Sequence, residues 1–132
     1  MSIPGKIRLP WAQRVIRDYS ALNFEGATPT DIDGFIWLDP WFFFLELKYN
    51  HAQIYDGQRR AFEKLAAAVG QHCVFIIADH FVNASTPDVE IDAAHCVVRR
   101  WYNGGTRKWE VGGESEQGLT VRDFIDAVRQ LD

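Results

Sequence analysis

An acid heads one apolar stretch, Asp33-Gly34-Phe35-Ile36-Trp37-Leu38, and an acid and a lysine lie near the end of the next, Trp41-Phe42-Phe43-Phe44-Leu45-Glu46-Leu47-Lys48. Core strands rarely carry charges unless the charges are paired or hold a metal. Side chains alternate along a strand, so Glu46 and Lys48 share one face while Leu47 points to the other. The Asp39-Pro40 dipeptide between the stretches reads as the turn of a hairpin, which brings the start of the first strand beside the end of the second. Asp33 and Glu46 then face one point. Carboxylates so placed repel each other, and burial worsens this, unless a hard divalent cation such as Mg²⁺ sits between them. A lysine beside the same point can orient a water, help it lose a proton and offset charge on a phosphate. These are the parts for metal-assisted hydrolysis of a phosphodiester.

The elements that must position these groups can be read around them. Trp11, Val15, Ile16 and Tyr19 recur at helical spacing, followed by a polar Gly/Thr/Pro segment over 23–30. The hairpin joins strands at 33–38 and 41–49. Asp56 is the expected N-cap of a helix over 57–69, with Phe62, Leu65, Ala66 and Val69 on one face and Gly70 as its stop. A buried strand follows at 73–78. After a loop containing Pro87, a second hairpin pairs 95–102 with 108–111 around Asn103-Gly104-Gly105. Thr120 and Asp123 open a last amphipathic helix bearing Val121, Phe124, Ile125 and Val128. Helices interspersed with strands predict an α/β or α+β domain, a mixed central β-sheet flanked by helices.

Asp33, twelve intervening residues, then Glu46-Leu47-Lys48 resembles the PD-(D/E)xK nuclease superfamily. The wider set, Pro29-Thr30-Asp31-Ile32-Asp33-Gly34 with Glu46-Leu47-Lys48 and Gly57-Gln58-Arg59, is similar to small phage and prokaryotic nuclease-like proteins and to archaeal Holliday-junction resolvases. The resemblance implies a restriction-endonuclease-like core spanning 1–132 as a single domain. It implies a Mg²⁺-dependent endonuclease, with Mn²⁺ able to substitute, acting on nucleic acid and DNA before RNA. Asp33, Glu46 and the backbone carbonyl of Leu47 would hold the metal, Lys48 would activate or position the attacking water, and Gln58 would support both. Asp31 shares a strand face with Asp33, so either can be the principal ligand, with Asp33 the better fit to the hairpin. The family often adds an acid from its first helix, for which Asp18 is the nearest residue, with Glu25 in the loop behind it. The family also implies a bacterial or phage-infected cell.

Arg59, Arg60 and Lys64 follow Gln58 closely and are candidates for contacting a nucleic-acid backbone, although arginines on a helix surface are most often a solvated face. His80 follows Asp79 at a strand end, where binding residues often emerge, and is an accessory candidate. Trp101 and Trp109 are core residues first, with base stacking or a dimer contact as the other reading. His72-Cys73 and His95-Cys96 invite a zinc reading, but neighbours on a strand point to opposite faces and cannot chelate one ion. Ser-His-Asp hydrolysis lacks its nucleophile-elbow glycines.

The chain of 132 residues has room for one domain with a real core, and 47% hydrophobic with 24% charged residues is ordinary for a soluble globular protein. A net charge of −4 argues against a general polyanion-coating protein, though not against an enzyme with a local basic surface and metal ions beside its acids. The longest apolar run is broken by Glu46, so no membrane partner is expected. The amino terminus lacks the apolar core of a signal peptide, which makes the cytoplasm the default expectation. Cutting both strands of a duplex from one small site would need a pair of copies, so a homodimer stays open. The rival functions are a non-catalytic nucleic-acid-binding or protein-interaction module on the same fold, and a hydrolase of small phosphoesters.

Overall fold

The computed structural model describes residues 21–27, 30–82, 90–112 and 118–131. The expected first helix, with Asp18, lies outside them. The chain divides into two compact units, residues 1–30 and 31–132. In the first, Phe24 and Ala27 exchange backbone hydrogen bonds of 2.8 and 3.0 Å, and Asn23 Oδ1 accepts the Gly26 N–H. Glu25 and Gly26 both adopt positive φ in this turn.

The second unit is a mixed α+β domain. Its described elements are β1 (Gly34–Leu38), β2 (Trp41–Tyr49), α1 (Asp56–Val69), β3 (Cys73–His80), a single turn of 3-10 helix (Ala93–His95), β4 (Val97–Asn103), β5 (Lys108–Val111) and α2 (Val121–Arg129). The strands form one sheet in the order β1-β2-β3-β4-β5. β2 and β3 run parallel and the other neighbours antiparallel. Parallel neighbours need a crossover, and α1 provides it.

Alternation along β2 divides the core. Trp41, Phe43 and Leu45 point to one face, where Val74, Ile76, Ala78, Cys96 and Val98 meet Val121, Phe124 and Ile125 of α2. Phe42 and Phe44 point to the other, with Cys73, Phe75, Ile77 and Tyr102 under Phe62 and Ala66 of α1. Phe62 stacks on Phe75 with ring centroids 3.9 Å apart. Covering both faces of the central strands explains why Trp41–Leu45 and Cys73–Ala78 are apolar throughout.

Element ends follow local chemistry with small shifts from the sequence reading. Asp56 is the first residue of α1 rather than its cap, which is Tyr55. The expected stop holds: Gly70 has φ +110° and donates its N–H to Ala66 O. Thr120 caps α2 by accepting the Asp123 N–H at 3.2 Å. β3 runs on through Asp79 to His80, and β4 starts at Val97 because His95 belongs to the 3-10 turn. Gly104 sits so close under α1 that a Cβ would lie 2.0 Å from Ala66 O, which explains the glycine in that turn. Among the described residues no helix is long and apolar enough to cross a membrane.

Candidate active site

On the α1 face of β2 the apolar row Phe42, Phe44 gives way to Glu46 and Lys48. Glu46 is 6% exposed, so its carboxylate lies in the floor of the sheet rather than on its surface. Lys48 Nζ is 3.5 Å from Glu46 Oε1 and donates to Gln58 Oε1 at 3.3 Å. Gln58 reaches it because residues 58, 62 and 66 form one row of α1, and Phe62 and Ala66 of that row are buried against the sheet.

Asp33 stands just before β1, clamped to β2 by two hydrogen bonds. Its backbone N–H donates to Leu45 O at 3.1 Å, and its Oδ2 accepts the Leu47 N–H at 2.7 Å. Asp31 and Asp33 are both exposed. The effect of this grouping falls on Glu46, whose carboxyl group is raised from 4.5 to about 7. Burial is the largest cause and the Asp33 charge the next; Lys48 opposes them through its charge and hydrogen bond, and Asp31 adds a smaller upward push. Glu46 Oε2 is buried and has no hydrogen-bond partner among the described residues.

The hairpin therefore brings Asp33, Asp31, Glu46, Leu47 and Lys48 together, and α1 adds Gln58. The basic residues of α1 behave differently. Arg59 pairs with Glu63 at 3.0 Å and Asp56 at 3.7 Å on its own helix. Arg60 and Lys64 are exposed, and they sit about 200° round the helix from the Gln58 row, away from the sheet. His80 is not brought to the site either. It continues the Val74, Ile76, Ala78 row toward α2 and pairs in register with Tyr49, so it lies on the opposite face from Glu46. Trp101 packs on Phe124 with centroids 4.8 Å apart, and Trp109 lies against Tyr102 and donates to Glu63 Oε2, so both are packing residues. Cys73 and Cys96 are free, buried in opposite halves of the core, and burial pushes both thiols up to about 11.

The chain matches no family model, no curated protein and no solved structure.

The sequence reading singles out neither Asp79 nor His51 as a site residue, and takes Arg99 only as one of the basic residues around the later hairpin. Asp79 is the register partner of Lys48 and shares its face. It is 1% exposed, accepts the His51 backbone N–H, and lies 3.0 Å from His51 Nδ1 and 3.2 Å from Arg99 Nη2. Period-2 alternation from Cys73, Phe75 and Ile77 already assigns Asp79, not His80, to this face, and that signal was legible. Arg99 was not. A register shift between Ile77 and Ala78 makes Arg99 the extra residue of β4, between Val98 opposite Ala78 and Arg100 opposite Ile77.

Among the described residues no group of three or more His, Cys, Asp or Glu side chains is arranged to hold a metal ion. Mg²⁺ does not require one, since it keeps several waters and takes one or two carboxylates together with substrate phosphates. The unpartnered Glu46 Oε2, next to a second carboxylate that raises it, fits that kind of ion.

Proposed function

We propose that this protein is a metal-dependent nuclease of the PD-(D/E)xK kind, with a restriction-endonuclease-like core, that hydrolyses phosphodiester bonds, DNA being the first substrate to test. The observation that carries this reading is the Glu46 carboxyl group. It is buried, raised to about 7, and set among Asp33, Lys48 and Gln58 with one oxygen unpartnered. A buried carboxylate held in that state is costly to the fold, as expected of a group kept for its chemistry.

In this reading Glu46, Asp33 and the Leu47 carbonyl are the groups that would hold Mg²⁺ or Mn²⁺, with Asp31 as an accessory. When bound, the cation supplies positive charge for the phosphate oxygens. Lys48, as a cation, positions the attacking water and steadies the negative charge that forms as the water loses its proton to solvent, and Gln58 fixes the lysine from α1. Asp33 is oriented by the Leu47 amide. Attack is in line on phosphorus, without a covalent intermediate. Of the basic candidates on α1, Arg59 is paired within its own helix and Arg60 and Lys64 face away from the sheet, so none of the three is given the nucleic-acid backbone in this reading.

A second reading has its own support: Glu46, Lys48 and Gln58 close into a polar chain that satisfies Lys48 internally. A non-catalytic module that binds nucleic acid or protein could use that chain as structure alone. The deciding experiment is a cleavage assay with Mg²⁺, Mn²⁺ or EDTA. It runs the wild type beside Lys48→Ala on supercoiled plasmid, single-stranded DNA, a branched junction and RNA. Metal-dependent cutting that the variant loses supports the nuclease; a folded protein that cuts none of them moves the assignment to the binding module.

A further inference from the structure

Beside Lys48 the strand ends hold a polar cluster that the reaction above leaves unused. Asp79 Oδ1 accepts the His51 backbone N–H at 3.1 Å and lies 3.2 Å from Arg99 Nη2, while Oδ2 lies 3.0 Å from His51 Nδ1. One buried carboxylate thus grips both the backbone and the ring of His51. Nδ1 is committed to Asp79, which leaves Nε2 as the ring nitrogen open to a substrate. The side chain is 35% exposed, so it is anchored at one edge and accessible at the other.

The backbone is bent to achieve this. Asn50 and His51 adopt φ of +42° and +65°, a conformation that non-glycine residues hold only where their surroundings enforce it. The turn is already closed by Asn50 N–H to His80 O and Ala52 N–H to Tyr49 O, both 2.9 Å. An imidazole on a buried acid is not needed to close it. The location is telling as well. Asp79 is the parallel partner of Lys48, so their backbones are about 4.8 Å apart and their side chains share a face. The anchored ring therefore stands at the margin of the Glu46–Lys48–Gln58 group.

We propose that His51 is a further catalytic residue, the proton donor to the leaving oxygen of the phosphodiester; this rests on the nuclease reading. As the water oxygen bonds to phosphorus it gives up one proton to solvent, the ester P–O bond breaks and its electron pair goes to the leaving oxygen. That oxygen takes the Nε2 proton of the protonated imidazole, which is later restored from solvent. The products are an alcohol and a phosphomonoester, and no oxidant or reductant is needed. Asp79 is a positioning residue that aims the ring, and Arg99 balances the charge of Asp79.

The test compares an ordinary phosphodiester with one whose leaving oxygen is replaced by sulfur, made with the sulfur on either side of phosphorus and assayed in Mn²⁺. A thiolate leaves without being protonated. His51→Gln keeps a donor for Asp79 but has no proton to transfer. It should slow cleavage of the oxygen ester by about 10²–10⁴-fold and cut the matching sulfur ester at close to the wild-type rate. Asp79→Asn should show the same pattern with a smaller loss. Equal slowing of both esters, or slowing of neither, would overturn the proposal. Glu46→Gln should stop both, which separates the two ideas. If the wild type cuts neither ester, the nuclease reading falls and this role with it.

Discussion

The carboxylate of Asp33 accepts the backbone N–H of Leu47 at 2.7 Å, so the first acid of the site is fastened to the residue between the second acid and the lysine. Orientation of Asp33 is thereby coupled to the local path of β2. The acid that sits deeper, Glu46, is left to absorb the electrostatic consequence.

That consequence has a sign. Glu46 titrates at about 7 in the folded protein against an ordinary 4.5, so between those values the folded state holds a proton that the unfolded chain releases. Its contribution is most favourable below the lower value, falls as pH rises, and is lost above the upper one, a swing of at most about 3 kcal/mol. Glu46→Gln removes this dependence. Urea denaturation of both proteins at about pH 5 and about pH 8 should show the variant gaining on the wild type as pH rises. A constant difference would mean that the carboxyl group is not raised.

Cations should relieve the same repulsion. Mg²⁺ or Mn²⁺ is expected to raise the melting temperature of the metal-free protein, with about 2.7 kcal/mol of stabilisation at a hundredfold excess over Kd. Asp33→Asn and Glu46→Gln should each abolish the response in a thermal melt monitored by circular dichroism. The apparent affinity should climb as pH approaches about 7, because the ion displaces the Glu46 proton.

Asp79 and Arg99 are 1% and 7% exposed, and breaking such a pair from one side leaves a buried charge poorly compensated. Arg99→Met should cost about 3–5 kcal/mol in urea unfolding. Adding Asp79→Leu should cost less than the sum of the single changes, since no orphaned carboxylate remains. Strict additivity would show that the two side chains do not interact.

Gly104→Ala tests the approach of the β4–β5 turn to α1. With a Cβ 2.0 Å from Ala66 O and 2.3 Å from Gly70 O, the turn or the helix end must shift. A loss of about 1–3 kcal/mol is expected from overpacking. The Lys48–Gln58 bond lies at the other end of α1, so if the protein cleaves as proposed, the rate measured well below the melting temperature should change little.

Much of the candidate site was legible in the sequence because its spacing is local. Glu46 and Lys48 share a face by strand periodicity, and the Asp39-Pro40 turn returns Asp33 to them within one hairpin. Gln58 came from the family resemblance, and the structure places it in the α1 row of Phe62 and Ala66, within reach of Lys48. His80, an accessory candidate only, stands on the far face, because position at a strand end says nothing about side until the alternation is followed back from Cys73. Arg60 and Lys64, near Gln58 along the chain, lie on the outer side of α1 for the same kind of reason.

What the sequence by itself determined is the set of strands and helices from β1 to α2 and the faces of each: β2 apolar to Leu45 and then charged, α1 stopped at Gly70, α2 capped by Thr120. Those features depend on alternation, helical period and caps, which act over a few residues. Only the tertiary structure decided what stands next to what. The parallel pairing of β2 with β3 put Asp79 beside Lys48, and the irregularity in β4 turned Arg99 toward it. The packing of α1 and α2 on opposite faces left Trp101 and Trp109 half-buried against the two halves of the core. Pairing partners distant along the chain are selected by burial summed over the whole sheet, and no local spacing encodes that sum.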